Sequence, residues 1–186
     1  MCCGVDVSAS VLDLDPTVCK RVAKRLSDAG HAPDRIICAP VEDHTFDQHF
    51  DAIILQNILE HIEDPVSMLT NLRDLMTPSG RLYINVPLAH SLHRLMGVEL
   101  GMIPSADALS ESDIEYGHFR VYSPELMRDH IQCAGLRQVY EMPYYLKPLS
   151  TRMLQDLSDE QHRALFRLGQ KMPDLASYYY AEATLS

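Results

Sequence analysis

Apolar and polar positions along this chain fall into blocks whose period changes from one block to the next. Val11 to Leu14 reads as a short strand, and Pro16 follows where the first turn of a helix tolerates a missing N–H. Val18, Val22 and Leu26 recur at every fourth residue with basic side chains between them, and Gly30 stands where a helix end takes a left-handed residue. A second strand is predicted over residues 35–39 and a third over 50–55. The third is almost continuously apolar, as expected of a parallel strand covered on both faces. Asp64 as N-cap and Pro65 at the first position open an amphipathic helix that runs to Met76. Pro78-Ser79-Gly80 then turns the chain into a strand over 81–86.

Residues 88–123 show no sustained period and read as a long irregular excursion, the kind of segment that forms a lid or a substrate loop. Beyond it come a helix from Pro124 to about Ala134, a strand from Leu136 to Leu146, a charged helix over roughly 151–171 and a last strand over 177–185. In that last strand Tyr178, Tyr179 and Tyr180 are expected to pack, since an acidic chain lacks the basic groove that would make them a stacking platform for bases. The alternation predicts an α/β fold, an open and mostly parallel sheet flanked by helices, with ligands outside the carboxyl ends of the strands. A length of 186 residues predicts one domain, 1–186.

Charge narrows the function classes. Lys and Arg total 16 against 26 Asp and Glu, a net charge of −10, which argues against a nucleic-acid partner. The five cysteines, Cys2 and Cys3 adjacent among them, show neither zinc-ligand spacing nor a disulfide framework, so reduced thiols in the cytoplasm are expected. His90 and His93 are read as surface histidines, and no metal site is expected. The N-terminus lacks the pattern of an export signal and no apolar run is long enough to span a bilayer, so no membrane partner is expected.

The segment from Phe50 to Pro65 is where the residues become recognisable. It resembles the fourth strand and following loop of class I S-adenosylmethionine-dependent methyltransferases, in which an Asp opens the strand, the loop carries Leu-Glu-His and Asp-Pro starts the next helix. Here those are Asp51, Leu59-Glu60-His61 and Asp64-Pro65. Asp13-Leu14-Asp15-Pro16 is similar to the end of the family's second strand, and Pro78 to Pro87 to its fifth-strand region. Segments 91–94 and 117–122 resemble the acceptor side of the cleft in one branch of the family. The likeness spans about Val11 to the C-terminus and implies a Rossmann-like methyltransferase sheet with an antiparallel C-terminal strand pair.

It also implies roles. Asp13 would accept from the ribose hydroxyls, Val41 and Glu42 would lie near the adenine, and Gln56 and Asn57 would line the cofactor cleft. His61 and His118 would serve as catalytic bases, and His93 and Arg120 would contact the acceptor. Each residue has a plainer reading too: Asp13 as a turn acid, Glu42 as a solvated loop, the histidines as structural hydrogen bonders, Arg120 as a surface ion-pair partner.

Family members begin with a strand and a glycine-rich loop that lets the backbone approach the methionine part of the cofactor. Only residues 1–10 precede the strand at Val11, with Gly4 as their single glycine, while a βαβ unit needs about 30 residues. An alignment of Gly4 to Ser8 with the ribose strand is the alternative. The expectation is an N-terminally truncated sheet lacking its first strand, weak binding of S-adenosylmethionine, reduced stability and a tendency to homo-oligomer formation. The expected activity is methyl transfer to a small metabolite or biosynthetic intermediate. A non-catalytic methyltransferase-like binding module is the alternative that loss of the glycine loop would favour.

Overall fold

A computed structural model describes residues 9–30, 35–40, 44–149 and 154–186, with Arg35 described by its backbone alone. Val41 and Glu42 lie outside the described residues, as do Gly4 to Ser8 and the predicted helix start at Thr151. The chain divides into two compact units, residues 1–47 and 48–186.

In the first unit β1 (Ser10–Asp13) and β2 (Arg35–Cys38) form a parallel pair connected through α1 (Pro16–Asp28). Local chemistry starts the helix: the Asp15 carboxylate accepts from Thr17 N at 2.7 Å, and Pro16 holds the first helical position. Gly30, at φ +75°, ends the segment as its position predicts. Cys19 is buried, its Sγ 3.6 Å from the Asp13 carbonyl oxygen and 3.8 Å from that of Ile37.

The second unit is built on a four-stranded sheet. Its elements in chain order are β3 (Phe50–Gln56), a 3-10 turn (Leu59–His61), α2 (Pro65–Asp74), β4 (Met76–Pro87), α3 (Leu92–Glu99), α4 (Glu111–Glu115), α5 (Pro124–Cys133), β5 (Leu136–Leu146), α6 (Asp159–Lys171), a 3-10 turn (Pro173–Leu175) and β6 (Ala176–Leu185). The strand order is β3-β4-β6-β5; β3 and β4 are parallel, and β6 runs antiparallel to both β4 and β5. The final strand is thus internal to its sheet, and alternate residues Tyr179, Ala181 and Ala183 are fully buried on it, so Tyr179 packs as expected while Tyr178 and Tyr180 are half-buried. Leu82, Ile84 and Val86 of β4, Leu69 and Leu72 of α2, and Met127 and Ile131 of α5 complete the core. Asp64 caps α2 as predicted, accepting from Ser67 N at 3.0 Å and Ser67 Oγ at 2.6 Å, and these bonds hold its pKa below the usual carboxylate value.

Three expectations need correction. Among the described residues of its own unit, the apolar β3 is not covered on both faces: it is the end strand of the four-stranded sheet, Ala52 is exposed and Ile54 is 71 % exposed, because strand composition cannot report which neighbours arrive. Residues 78–80 form no free turn but lie within β4, whose register against β3 slips between Phe50 and Ala52; at Gly80 a Cβ would sit 2.9 Å from the Phe50 carbonyl oxygen, so only glycine fits. The excursion 88–123 is not wholly irregular, since it contains α3 and α4. Its organiser is Arg94, buried with Nε donating to the Ala106 carbonyl at 2.7 Å, Nη1 to Asp113 at 2.8 Å and Nη2 to the Ala108 carbonyl.

Candidate functional site

At the carboxyl ends of parallel strands β3 and β4 the chain makes a sharp turn at Asn57, which has φ +53°, a region that Asn tolerates better than most side chains. The turn is pinned rather than free: Asn57 N donates to the Asn85 carbonyl at 2.9 Å, and Asn85 Nδ2 donates to Asn57 Oδ1 at 2.8 Å. Tyr144 Oη donates in turn to Asn85 Oδ1 at 2.7 Å, so β3, β4 and β5 share one polar chain. Gln56, just before the turn, is exposed.

The turn delivers Leu59-Glu60-His61, and Arg120 fixes it. That guanidinium donates through Nη1 to the carbonyls of Leu59, at 2.9 Å, and Ile62, and through Nη2 to that of Glu63 at 2.8 Å. Phe119 N donates to the Glu60 carbonyl at 2.8 Å. Arg120 therefore clamps the loop with donors that the sequence reading gave to the acceptor.

His118 comes in beside the loop. Its ring lies edge-on to that of His61, centroids 4.6 Å apart, and its Nδ1 is 3.4 Å from Asp113 Oδ1. Burial, together with the nearby His61, lowers the His118 pKa, so its neutral, proton-accepting form is favoured. Asp113 is itself held by Arg94 and by the Ser110 backbone N–H and hydroxyl, at 2.8 and 2.7 Å.

Glu60 is the residue that sequence reasoning passed over. It is 1 % exposed, and burial pushes its pKa up to about 7. One atom from each of Glu60, His61 and His118 lies within 4.8 Å of the others. The only available signal was its place next to His61, and no local pattern reports that depth of burial.

The other predicted residues are elsewhere. Asp13 ends β1 in the first unit, where its Oδ1 accepts the Asp15 N–H at 2.8 Å. His93 sits in the first turn of α3 and is part-buried, not at the surface as expected; its Nδ1 is buried with no partner among the described residues, and burial holds its pKa down at about 4. His90 is exposed. A cleft of about 450 Å³ is lined by His90, Asp107, Phe119, Arg120 and Glu125 among others. Its size suits a small molecule.

Comparison with known proteins agrees with this layout. A family model described as a methyltransferase domain matches residues 1–141. The ubiquinone biosynthesis O-methyltransferase of Coxiella burnetii (strain RSA 493 / Nine Mile phase I) is 33 % identical over 159 residues, which make up 83 % of this chain and 61 % of that protein. This chain therefore spans about three fifths of the length of the curated relatives it matches. Among solved structures, an S-adenosylmethionine-dependent methyltransferase from Clostridium acetobutylicum ATCC 824 superposes with a TM-score of 0.61 at 10 % identity, covering 97 % of this chain and 76 % of that one. The [4+2]-cyclase SpnF superposes with a TM-score of 0.63 at 15 % identity, covering 96 % of this chain and 67 % of its own. At such identities the likeness is one of fold, a Rossmann-like sheet flanked by helices.

Proposed function

The chain belongs to the methyltransferase domain family, and from that premise we propose that it transfers a methyl group from S-adenosylmethionine to a hydroxyl of a small metabolite or biosynthetic intermediate. The observation that carries the reading is the convergence of His61 and His118 on the loop after β3, at the carboxyl edge where such sheets bind ligands. S-adenosylmethionine, when bound, supplies a methyl group already activated on a sulfonium sulfur.

What remains for the protein is to position the partners and take a proton. The Asp13 carboxylate has lone pairs beyond the one used by Asp15 N–H and suits the ribose hydroxyls. Gln56 and Asn57 would border the donor, and Val41 and Glu42 the purine. His61 or His118 would accept the acceptor's proton; neutral His118, with Asp113 beside its other nitrogen, is suited to it. His93 would sit on the acceptor side, and Arg120 would act there by holding the loop and lining the cleft.

Further parts of the reading have their own support. Residues 1–186 are read as one domain because the family match crosses from the first compact unit into the second, with 88–123 as its acceptor-side lid. A cytoplasmic location fits Cys19, Cys38 and Cys133 being free thiols. No helix among the described residues is long and apolar enough to cross a membrane. The net charge of −10 supports a small-molecule partner over nucleic acid.

The test is incubation with isotope-labelled S-adenosylmethionine and a panel of small phenols, catechols and aliphatic alcohols, reading methylated product by mass spectrometry. An O-methylated product is expected, and His118→Ala should lower kcat about 100-fold with little change in KM. Binding of a panel member without any methyl transfer would support the non-catalytic alternative and overturn this reading.

A further inference from the structure

The rim of the sheet that holds the Asn57 turn continues to a second set of polar groups. Strand β6 runs antiparallel to both β4 and β5, so those two strands end at the same rim, where β6 begins: Pro87 faces Tyr178 and Leu146 faces Ala176. The chain leaving β5 places Lys147 there, its N–H donating to Ser177 Oγ at 3.1 Å, and Leu88 N, just past β4, donates to the Ser177 carbonyl at 2.9 Å. Ser91, the N-cap of α3, follows shortly after.

Polar groups at this helix start lack partners. Ser91 is 0 % exposed, yet its Oγ has no hydrogen-bond partner among the described residues and does not cap the helix. The amides of Arg94 and Leu95 donate to the Ser91 carbonyl, whereas those of Leu92 and His93 find no acceptor among the described residues. In the same turn His93 Nδ1 is buried and unpartnered as well. Lys147, whose charge acts on the His93 ring, is part-buried and makes no ion pair among the described residues. The charges of Arg94 and Asp113, which act on both, are already paired with each other at 2.8 Å. Buried polar groups are ordinarily satisfied, and a helix start with free amides is an anion site in waiting.

We propose that Ser91, His93, Lys147 and the first amides of α3 bind a carboxylate carried by the methyl acceptor. Two carboxylate oxygens have lone pairs enough for a hydroxyl, an Nδ1–H, the amides and an ammonium together. Burial keeps His93 neutral at pH 7, so Lys147 supplies the one positive side chain of the set. That matches the single charge of a carboxylate better than the roughly −1.5 to −2 of a phosphate monoester. Burial also lowers the Lys147 pKa, with Asp113 opposing the shift and Arg94 adding to it, so an anion that keeps the ammonium charged is favoured beside it. His93 and Lys147 are part-exposed and form the approach from solvent, with Ser91 innermost. That the carboxylate belongs to the acceptor rests on the methyl-transfer reading; the anion site itself does not.

Calorimetry without S-adenosylmethionine tests the site apart from methyl transfer. Protocatechuate should bind about tenfold more tightly than catechol, and benzoate about tenfold more tightly than phenol. Lys147→Gln should erase both preferences while leaving catechol and phenol binding unchanged, and Lys147→Arg should restore most of them. Ser91→Ala should weaken binding of the two carboxylates alone, and it keeps the test valid if Lys147→Gln fails a folding check by circular dichroism. Equal affinities within each pair for the wild-type chain, or no binding of either carboxylate, would overturn the proposal. So would a preference untouched by Lys147→Gln and Ser91→Ala, or inorganic phosphate binding more tightly than protocatechuate. A preference that depends on Lys147, in a chain that methylates no acceptor, would uphold the anion site and count against the methyl-transfer reading alone.

Discussion

His93 shows at the scale of a single residue how burial becomes a pH dependence. Its imidazole is held down at about 4, first by burial and then by the charges of Lys147 and Arg94, whereas the free side chain titrates near 6.5. Between those values the unfolded chain binds a proton that the folded chain does not, so stability contributed by neutral His93 is present above pH 6.5 and is lost as pH falls towards 4. His93→Gln removes that titration while keeping polar atoms near the site. Urea midpoints measured from pH 7 to pH 4.5 should therefore fall less steeply for the variant than for the wild type, and equal slopes would contradict the assignment. Glu141 carries the opposite kind of shift. The Arg128 guanidinium, donating to it at 2.8 and 2.7 Å, holds its carboxyl down at about 2, and Tyr179 adds a further hydrogen bond. Its contribution is complete above the ordinary value of 4.5 and is lost as pH falls through 2. Glu141→Gln should lower the melting temperature at pH 7, with the gap to wild type narrowing below pH 4.5 in thermal scans. Because both partners are over a third exposed, water screens the pair and the gap should be small.

Between elements, α6 approaches β5 closely at Gly169. A Cβ at Gly169 would lie 2.2 Å from Tyr145 N and 2.6 Å from the Tyr144 carbonyl carbon, both backbone atoms that cannot swing aside. Tyr145 has φ +61°, an unusual conformation for an aromatic residue, and its hydroxyl is 2.7 Å from His162 Nδ1 of the same helix. Gly169→Ala gains about 1 kcal/mol of helix propensity. It must also displace the helix from the strand, an overpacking of about 3 kcal/mol or more, so a net loss near 2 kcal/mol should appear in urea unfolding. An unchanged midpoint would mean that α6 can shift freely. Such long-range contacts also set the limit of what the chain discloses in advance. The starts of α1 and α2 were readable because Pro16 and Pro65 hold their first positions and Asp64 caps the second with a bond to the residue three positions on. The exposure of β3 and the helix α3 were not: one depends on which strands arrive, and the other has Gly97 in its middle and is held by Arg94 reaching Ala106 and Asp113. The site divides the same way. His61 and His118 were legible from the segments that carry them, while the burial of Glu60 and the use of Arg120 as a clamp exist only once those segments meet.

Across the molecule the two compact units differ in how much apolar surface they remove from water. Among the described residues of the first, Cys19 is the one buried hydrophobic side chain, while the second unit contributes the rest of the core. The first sheet is a pair of four-residue strands, whereas β4 and β6 are long strands with paired neighbours on both sides. Since burial is the main favourable term in folding and two-stranded sheets are marginal by themselves, the free energy of local opening should be far lower for β1, β2 and α1 than for β4 and β6. Hydrogen exchange read by mass spectrometry tests this directly. Amides of Ser10–Asp13 and Arg35–Cys38 should exchange orders of magnitude sooner than those of Leu82–Val86 and Tyr179–Ala183, which should open only with global unfolding. A ligand that binds through Asp13 would slow the first group and leave the second nearly unchanged, because binding to the folded state stabilises the segment that must be ordered to bind. Protection in β1 and β2 equal to that of the central strands, before any ligand is added, would show that the small unit draws stability from more than its own burial.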